Sequence, residues 1–446
     1  MPKPNVLLIV TDQQSYSAMS CAGNTELHTP AMDRLAAEGV RFSQAHCTYP
    51  LCTPSRASLF TGHMPHTVGV RHNGEGIEAS YNPNEIGPLA GEQGYDCAYG
   101  GKWHVPEIAM PDGEHGFRTI CGFDDTNLAD RCIDYFQASG DRPFFLVASF
   151  DNPHNICEWA RNQVLPWGPI EQAATEDCPN LPLNHAIPAF EPEAIRLVQS
   201  WQHRPYPVRH FDESQWRQYR HAYYRLVEKV DTEIGRILDA LERTGKRENT
   251  LIVFTSDHGD GMGAHRWSQK SITYDEVVRV PLIISVPGKP RAGVVDTAHL
   301  VSNGLDLLPT LCDYAGLRVP EGLPGASLRP LVEGHDPSAW RDQLVIESEL
   351  SSRPAMSVRM VRTPRFKYSV YSYGRNREQL VDMQNDPGEM VNLAVERRHQ
   401  DTLDEHRRRL YEWCLETGDL FEDHYSHPGQ PVVPGYGPLE RFTDVD

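Results

Sequence analysis

The chain has 446 residues, 39% hydrophobic and 23% charged, with a formal net charge of −19. That length and apolar content support a full core in one large domain with a smaller appendage, which excludes a disordered chain, and the acidic balance excludes a general nucleic-acid binder. Ten scattered cysteines with no Cys-x-x-Cys pair exclude a zinc cluster or a dense disulfide framework, so reduced core thiols are expected.

The apolar run at residues 6–10 is too short for a membrane span or a secretory h-region. No membrane association is expected, and the chain as it stands reads as cytoplasmic. A periplasmic or secreted protein trimmed of its leader would read the same way. The run itself suits a central parallel strand buried on both faces, and it ends in Asp12 and Gln13. Ligand groups gather at the carboxyl ends of such strands, so these two are candidate site residues, with an Asx-type turn as the plain alternative. Thr29-Pro30 opens a predicted crossover helix that stops at Gly39.

Residues 51–62, Leu-Cys-Thr-Pro-Ser-Arg-Ala-Ser-Leu-Phe-Thr-Gly, predict a short helix with Thr53 as N-cap, Pro54 at the first helical position and Gly62 as C′. Cys52 then lies just before the helix N-terminus, where free N–H groups favour an anion and Arg56 adds a fixed charge one turn in. A buried cysteine beside a capped helix is the bland reading of the same residues. The loop at 69–74 carries Arg71 and His72, which are either solvated or touch substrate.

A short strand at 94–99 is followed by a Gly pair and then Lys102 and His104, whose alternation in extended chain would aim both side chains the same way. The run at 144–150 is a second two-sided strand and delivers His154 to the same rim. Residues 155–212 are rich in Pro, Trp, Asn and His with weak periodicity, and are expected to form a long excursion over the site. A helix over 219–245 returns to a strand at 251–254 that ends in Asp257 and His258. Strand, helix and strand in this order imply right-handed parallel units. Lys270 sits on the next loop, and a strand over 280–284 and a helix over 306–315 close this part. From about residue 345 the texture changes to short strands and turns, then a charged helix over 401–415.

Polar groups at several strand ends around one cysteine are what a catalytic site in an α/β sheet requires. Asp12, Gln13, Asp257 and His258 form a mostly hard ligand set, suited to Ca²⁺, Mg²⁺ or Mn²⁺. The motif Cys52-x-Pro54-Ser55-Arg56 followed by Ala57-Ser58-Leu59-Phe60-Thr61-Gly62 resembles the signature of the type I sulfatases. So do Thr29-Pro30-x-x-Asp33-x-Leu35-Ala36-x-Glu38-Gly39 and the late run Asp386-Pro387-Gly388-Glu389-Met390-Val391-Asn392-Leu393.

The resemblance covers nearly the whole chain. It implies an alkaline-phosphatase-like α/β fold: a large mixed, mostly parallel sheet flanked by helices, with a smaller C-terminal antiparallel sheet plus helix. The expected domains are a catalytic domain at 1–344 and a C-terminal α+β subdomain at 345–446. It further implies that a formylglycine-generating enzyme oxidises Cys52 to formylglycine, whose hydrate is the nucleophile, and that a divalent metal, most often Ca²⁺, is held by Asp12, Gln13, Asp257, His258 and the modified Cys52. Arg56 would hold the nucleophile, Lys102 and Lys270 would bind sulfate oxygens, His154 with Lys270 would stabilise the leaving alkoxide, and His104 would act as base. The substrate implied is a sulfate ester, a sulfated small molecule or glycan, with a carbohydrate favoured by the polar, Trp-containing excursion. Gln13 departs from the second Asp of many sulfatases and resembles the phosphonate monoester hydrolases, which keeps a phosphonate or phosphodiester hydrolase open. A catalytically silent binding protein with unmodified Cys52 is the reading from another class.

Overall fold

The structure, a computed structural model, describes residues 3–201, 207–289, 291–335, 337–352 and 355–421. The first strand, β1 (Asn5–Asp12), is apolar at successive positions and sends them to opposite sides, as the pleat demands. Leu7 and Ile9 enter one core with Phe254, Leu146 and the helices Pro30–Glu38, Asp125–Ala138 and Glu213–Arg243. Val6, Leu8 and Val10 enter a second core on the other face, with residues of the helices Cys52–Thr61 and Asn303–Ala315. The result is a three-layer α/β/α body, which is why the strand reads as a continuous hydrophobic run.

The remaining strands of that body are β2 (Val40–Phe42), β3 (Ala45–His46), β4 (Asp96–Gly101), β5 (Arg118–Cys121), β6 (Phe144–Pro153), β7 (Thr250–Ser256), β8 (Leu282–Ser285), β9 (Val294–Asp296) and β10 (Val301–Ser302). Seven of them join β1 in one eight-stranded sheet in the order β5-β4-β6-β1-β7-β8-β2-β9, and β3 pairs separately with β10. Pairing is parallel from β5 through to β7, as the strand-helix-strand order predicts. Only β8 runs against its neighbours β7 and β2, so the sheet is mixed but mostly parallel. Four adjacent strands, β4, β6, β1 and β7, therefore point their carboxyl ends at one rim.

Several boundaries differ from the sequence reading. The helix expected over 219–245 starts at Glu213, because Asp212 and Gln215 form a reciprocal capping box that the apolar period does not register. The helix expected from 306 starts at Asn303, where the Ser302 hydroxyl accepts the Leu305 N–H at 3.3 Å. Among its described residues the excursion at 155–212 holds two α-helices, Ile156–Ala160 and Glu193–Trp201, the second burying Ala194, Ile195 and Val198.

Beyond the main body, β11 (Leu344–Ser352), β12 (Ala355–Arg362), β13 (Phe366–Tyr371) and β14 (Glu378–Asp382) form an antiparallel sheet in sequential order. Val345, Val361, Tyr368 and Leu380 on one face pack with Leu403, Leu410 and Cys414 of the helix Gln400–Thr417. Met356, Val358 and Tyr371 on the other face share a core with Ala194, Ile195, Trp267 and Tyr274. The small sheet is thus bonded to the body through an apolar seam. No described helix is long and apolar enough to cross a membrane. All ten cysteines are free, nine of them buried.

Candidate active site

The Cys52 helix differs in one respect from its sequence reading. Leu51 takes the N-cap position and Cys52 is the first helical residue, with Ser55 N–H donating to Leu51 O at 3.0 Å. Thr53 is not the N-cap and its hydroxyl has no hydrogen-bond partner among the described residues. Pro54 moves to the third helical position, still inside the first turn, where a missing N–H removes one unsatisfied donor. Gly62 closes the helix in the left-handed region (φ 72°), as expected. All ten residues of the helix are buried, which accounts for its lack of an amphipathic stripe. Gly304 permits this depth: a Cβ there would lie 2.8 Å from the Ser58 side chain.

At the helix start, Cys52 meets the ends of β1 and β7. One ligand-capable atom each from Asp12, Cys52, Asp257 and His258 lie within 4.8 Å of one another, all buried. His258 Nδ1 donates to Gly259 O at 2.9 Å, which aims Nε2 into the cluster, 3.3 Å from Cys52 Sγ, 3.8 Å from Asp12 Oδ1 and 3.7 Å from Asp257 Oδ1. Burial opposes a charge on the ring, but Asp257 and Cys52 raise its affinity for a proton, which a cation bound to the Nε2 lone pair would replace. The other carboxylate oxygens face fixed cations. Arg56 Nε donates to Asp257 Oδ2 at 2.9 Å and Nη2 approaches Asp12 Oδ2 at 3.4 Å, while Lys102 Nζ lies 2.7 Å from Asp12 Oδ2. The Oδ2 atoms are therefore neutralised from outside and the Oδ1 atoms converge on one point. Two buried carboxylates and an imidazole lone pair converging in this way fit a divalent cation, and an oxygen in place of the Cys52 sulfur would make the set harder and better matched to Ca²⁺.

Lys270 Nζ approaches Cys52 Sγ at 2.8 Å and Asp12 Oδ1 at 4.0 Å. Burial and the Asp12 charge push the Cys52 thiol up, but Lys270, Lys102 and His258 outweigh them and hold it well below its ordinary range. Burial likewise opposes ionisation of Asp12, yet Lys102, His154, Lys270 and Arg56 keep it well below the usual carboxylate value. Asp257 moves the other way, raised by burial and by Asp12 beside it.

The cations reach the rim through close backbone approach. Gly101 has φ 93°, and a Cβ there would lie 1.9 Å from Ser149 O; this lets Lys102 N–H donate to Ser149 O at 2.9 Å. Arg56 Nη1 then donates to Lys102 O and Ser149 Oγ, both at 2.9 Å. One guanidinium thus ties the ends of four strands to the Cys52 helix, and removing it would leave the buried Asp257 carboxylate without its cation at a cost of about 3–5 kcal/mol, while Asp12 keeps Lys102.

Of the predicted site residues, Asp12, Cys52, Arg56, Lys102, Asp257, His258 and Lys270 come together. His154 lies at the edge, with Nδ1 3.9 Å from Asp151 Oδ1, and its charge acts on Asp12. Gln13 has a backbone N–H on Asp257 Oδ1 at 3.0 Å, but its side-chain Nε2 donates away from the cluster, to Asp260 Oδ2 at 2.8 Å. The extended Lys-x-His alternation is corrected: β4 ends at Gly101 and His104 has φ 64°, so the chain turns between the two side chains. No hydrogen bond or ion pair joins His104, Arg71 or His72 to the cluster among the described residues. The Arg71 and His72 N–H groups both donate to Glu75 Oε2, and Asn73 Oδ1 accepts the Thr53 N–H at 3.1 Å, which sets this loop on the start of the Cys52 helix.

Sequence reasoning missed Asp151 and Asp260. Asp151 accepts from Lys102 Nζ at 2.8 Å. It is the first charged residue after the apolar run 144–150, the same signal that picked out Asp12, but His154 three residues on drew the attention.

The sulfatase profile matches residues 4–317, well over half of the chain, and spans the strand ends that build this cluster. The chain belongs to the sulfatase family. A second profile, N-sulphoglucosamine sulphohydrolase, C-terminal, matches residues 263–415 of this sulfatase. The Δ4,5-hexuronate-2-O-sulfatase of Bacteroides thetaiotaomicron is 33% identical over 440 residues, covering 94% of this chain and 90% of that protein. A solved 2-O GAG sulfatase superposes with a TM-score of 0.85 at 30% identity, covering 98% of this chain and 99% of that one. The phosphonate monoester hydrolase of Agrobacterium radiobacter shares the fold, with a TM-score of 0.73 at 24% identity over 93% of this chain and 96% of that one. The sulfatase is of the type I, formylglycine-dependent family in the alkaline phosphatase-like superfamily, and is a sulfuric ester hydrolase.

Proposed function

We propose that this sulfatase removes a sulfate ester from a sulfated carbohydrate, through a formylglycine made from Cys52 by a formylglycine-generating enzyme and a divalent cation, Ca²⁺ foremost. The observation that carries the reading is the convergence of Asp12 Oδ1, Asp257 Oδ1 and His258 Nε2 on the Cys52 side chain, with Lys102 and Lys270 beside it. The carbohydrate class follows from the glycan-directed names of the relatives at 30% and 33% identity. When bound, the cation supplies a fixed positive charge that screens an anionic ester from an anionic nucleophile.

The chain's own residues do the rest. Arg56, buried and bonded to both acids, holds the start of the Cys52 helix in register with β1 and β7. Lys102 and Lys270 bind the sulfate oxygens and stabilise the charge that develops on them. His154 with Lys270 steadies the leaving alkoxide, and His104, whose Nδ1 has no hydrogen-bond partner among the described residues, takes a proton in the step that frees sulfate. Arg71 and His72, set beside the helix by Asn73, contact the glycan. We assign this chemistry to a catalytic domain at 1–344, with 345–446 as the C-terminal subdomain; the shared core of Val358, Tyr371 and Trp267 argues that the two act as one body.

Sulfate release from 2-O- and 6-O-sulfated uronate and glucosamine saccharides, with Cys52→Ala as control, tests the reading. Release by the wild type and none by the variant is expected. Equal release by both would overturn it. The neutral Gln13 beside the cluster favours a phosphonate monoester or phosphodiester as a second substrate class, and turnover of the two ester types side by side separates them.

A further inference from the structure

Gln13 is wholly buried and adopts φ 70°, a backbone conformation that non-glycine residues seldom take. Its backbone is pinned on both sides: the N–H donates to Asp257 Oδ1 at 3.0 Å, and the carbonyl accepts the Tyr223 hydroxyl at 2.7 Å. A side-chain amide in this position has two orientations that differ only by exchange of oxygen and nitrogen. What lies behind it decides between them.

Behind it is Asp260, also wholly buried. Its Oδ1 accepts the Met262 N–H at 2.7 Å, and its Oδ2 accepts the Gln269 N–H at 3.0 Å and Gln13 Nε2 at 2.8 Å. The Tyr219 hydroxyl, from the long helix, lies 3.1 and 2.9 Å from the two oxygens. Every partner of this carboxylate is a donor. Such an acceptor admits the nitrogen end of the amide and rejects the oxygen end, so Oε1 is turned away from Asp260. Cys157 Sγ lies beside the amide, 3.4 Å from Nε2 and 3.7 Å from Oε1, and does not by itself choose between the two orientations.

We propose that Asp260, held by Tyr219, is a positioning residue that fixes the orientation of the Gln13 amide so that its carbonyl oxygen serves the cation, and that residues 13 and 260 form a matched pair. This rests on the cation reading of the Asp12–Asp257–His258 cluster. The pairing also explains why a neutral side chain stands at position 13. A carboxylate there would set two negative charges within about 3 Å of each other, a like-charge juxtaposition that a buried site does not tolerate.

The test is calorimetric titration of Ca²⁺, and separately of Mn²⁺, into the chelator-stripped full-length protein, with no substrate present. Asp260→Asn offers the Gln13 amide a donor as well as an acceptor, and is expected to weaken cation binding about 10–100-fold, the range seen for partners of metal ligands. Tyr219→Phe, which removes one hydroxyl and keeps the packing, is expected to weaken it about 3–10-fold by the same loss of support. Gln13→Asp alone is expected to bind poorly, and the swap Gln13→Asp with Asp260→Asn to recover to within about threefold of wild type, since the like-charge pair is gone. Wild-type affinity in Asp260→Asn, or a swap that binds no better than Gln13→Asp, would overturn the pairing while leaving the cation reading intact. A wild type that takes up neither cation, or an Asp12→Asn variant that binds as tightly as wild type, would overturn both.

Discussion

Two buried clusters in this molecule have nearly the same inventory and opposite characters. One is the Asp12–Cys52–Asp257–His258 group; the other is His66, Glu347 and Asp419, at the seam between the body and the small sheet. In the second, the Arg359 guanidinium stands among the acids, 3.0 Å from Asp419 Oδ1, 3.8 Å from Glu347 Oε2 and 3.6 Å from Glu349 Oε1, and His66 Nδ1 lies 2.8 Å from Glu347 Oε2. Its charges are matched inside the cluster. In the first, Arg56 and Lys102 take the outer oxygens, and the inner oxygens converge around Cys52. The difference teaches that a buried acid-rich cluster is read by which carboxylate oxygens its own cations occupy, and not by its residue types.

The sharpest way to break the comparison is Cys52→Ala. Sulfate release should fall by about 10³-fold or more, as for loss of any nucleophile, with the thermal midpoint nearly unchanged. Intact-mass analysis of the Cys52 peptide from active protein should show the lighter formylglycine; active protein carrying only cysteine would count against the assignment. Arg359→Ala should do the reverse. Leaving Glu347 and Asp419 buried and unmatched should cost about 3–5 kcal/mol in urea unfolding, with turnover per folded molecule within about twofold.

A chelator should separate the two clusters next. Removing divalent ions should lower the unfolding midpoint of the wild type and Ca²⁺ should restore it, by about 2.7 kcal/mol at a hundredfold excess over Kd. The stability lost in Arg359→Ala should not return with Ca²⁺.

The smallest effect concerns His66. Burial lowers its affinity for a proton, but the hydrogen bond and charge of Glu347, with Asp419 behind, raise it above the ordinary imidazole value. A raised folded value means that the stabilisation is fully present below about pH 6.5 and is lost as pH rises through the folded value. Unfolding free energy should therefore decline across neutral pH by about 1–3 kcal/mol, and His66→Gln should flatten that decline. An unchanged slope in the variant would remove His66 from the account.

Much of the candidate site was legible in the sequence. Asp12, Lys102 and Asp257 each follow a run of apolar residues, and a run buried on both faces is a central strand whose carboxyl end is the place for ligands. Cys52 and Arg56 were marked by their motif. The small sheet was legible from its turns and short alternating runs. The same-side alternation read for Lys102 and His104 failed because the rule holds only while the backbone stays extended, and a positive φ ends it. The helix Glu193–Trp201 was hidden because its apolar face, Ala194, Ile195 and Val198, is too short to stand out against its polar surroundings.

By itself, then, the sequence determined the chemical inventory and the positions of the main apolar strands along the chain, since both depend on residue type and on local period. It also carried the helix stop at Gly62, a local matter of φ. Which residues share an oxygen was decided only by the tertiary structure. Lys102 meets Asp12 across 90 residues and Gln13 meets Asp260 across 247, because parallel strands bring distant segments to one rim and a strand-end side chain selects its partner by distance in space.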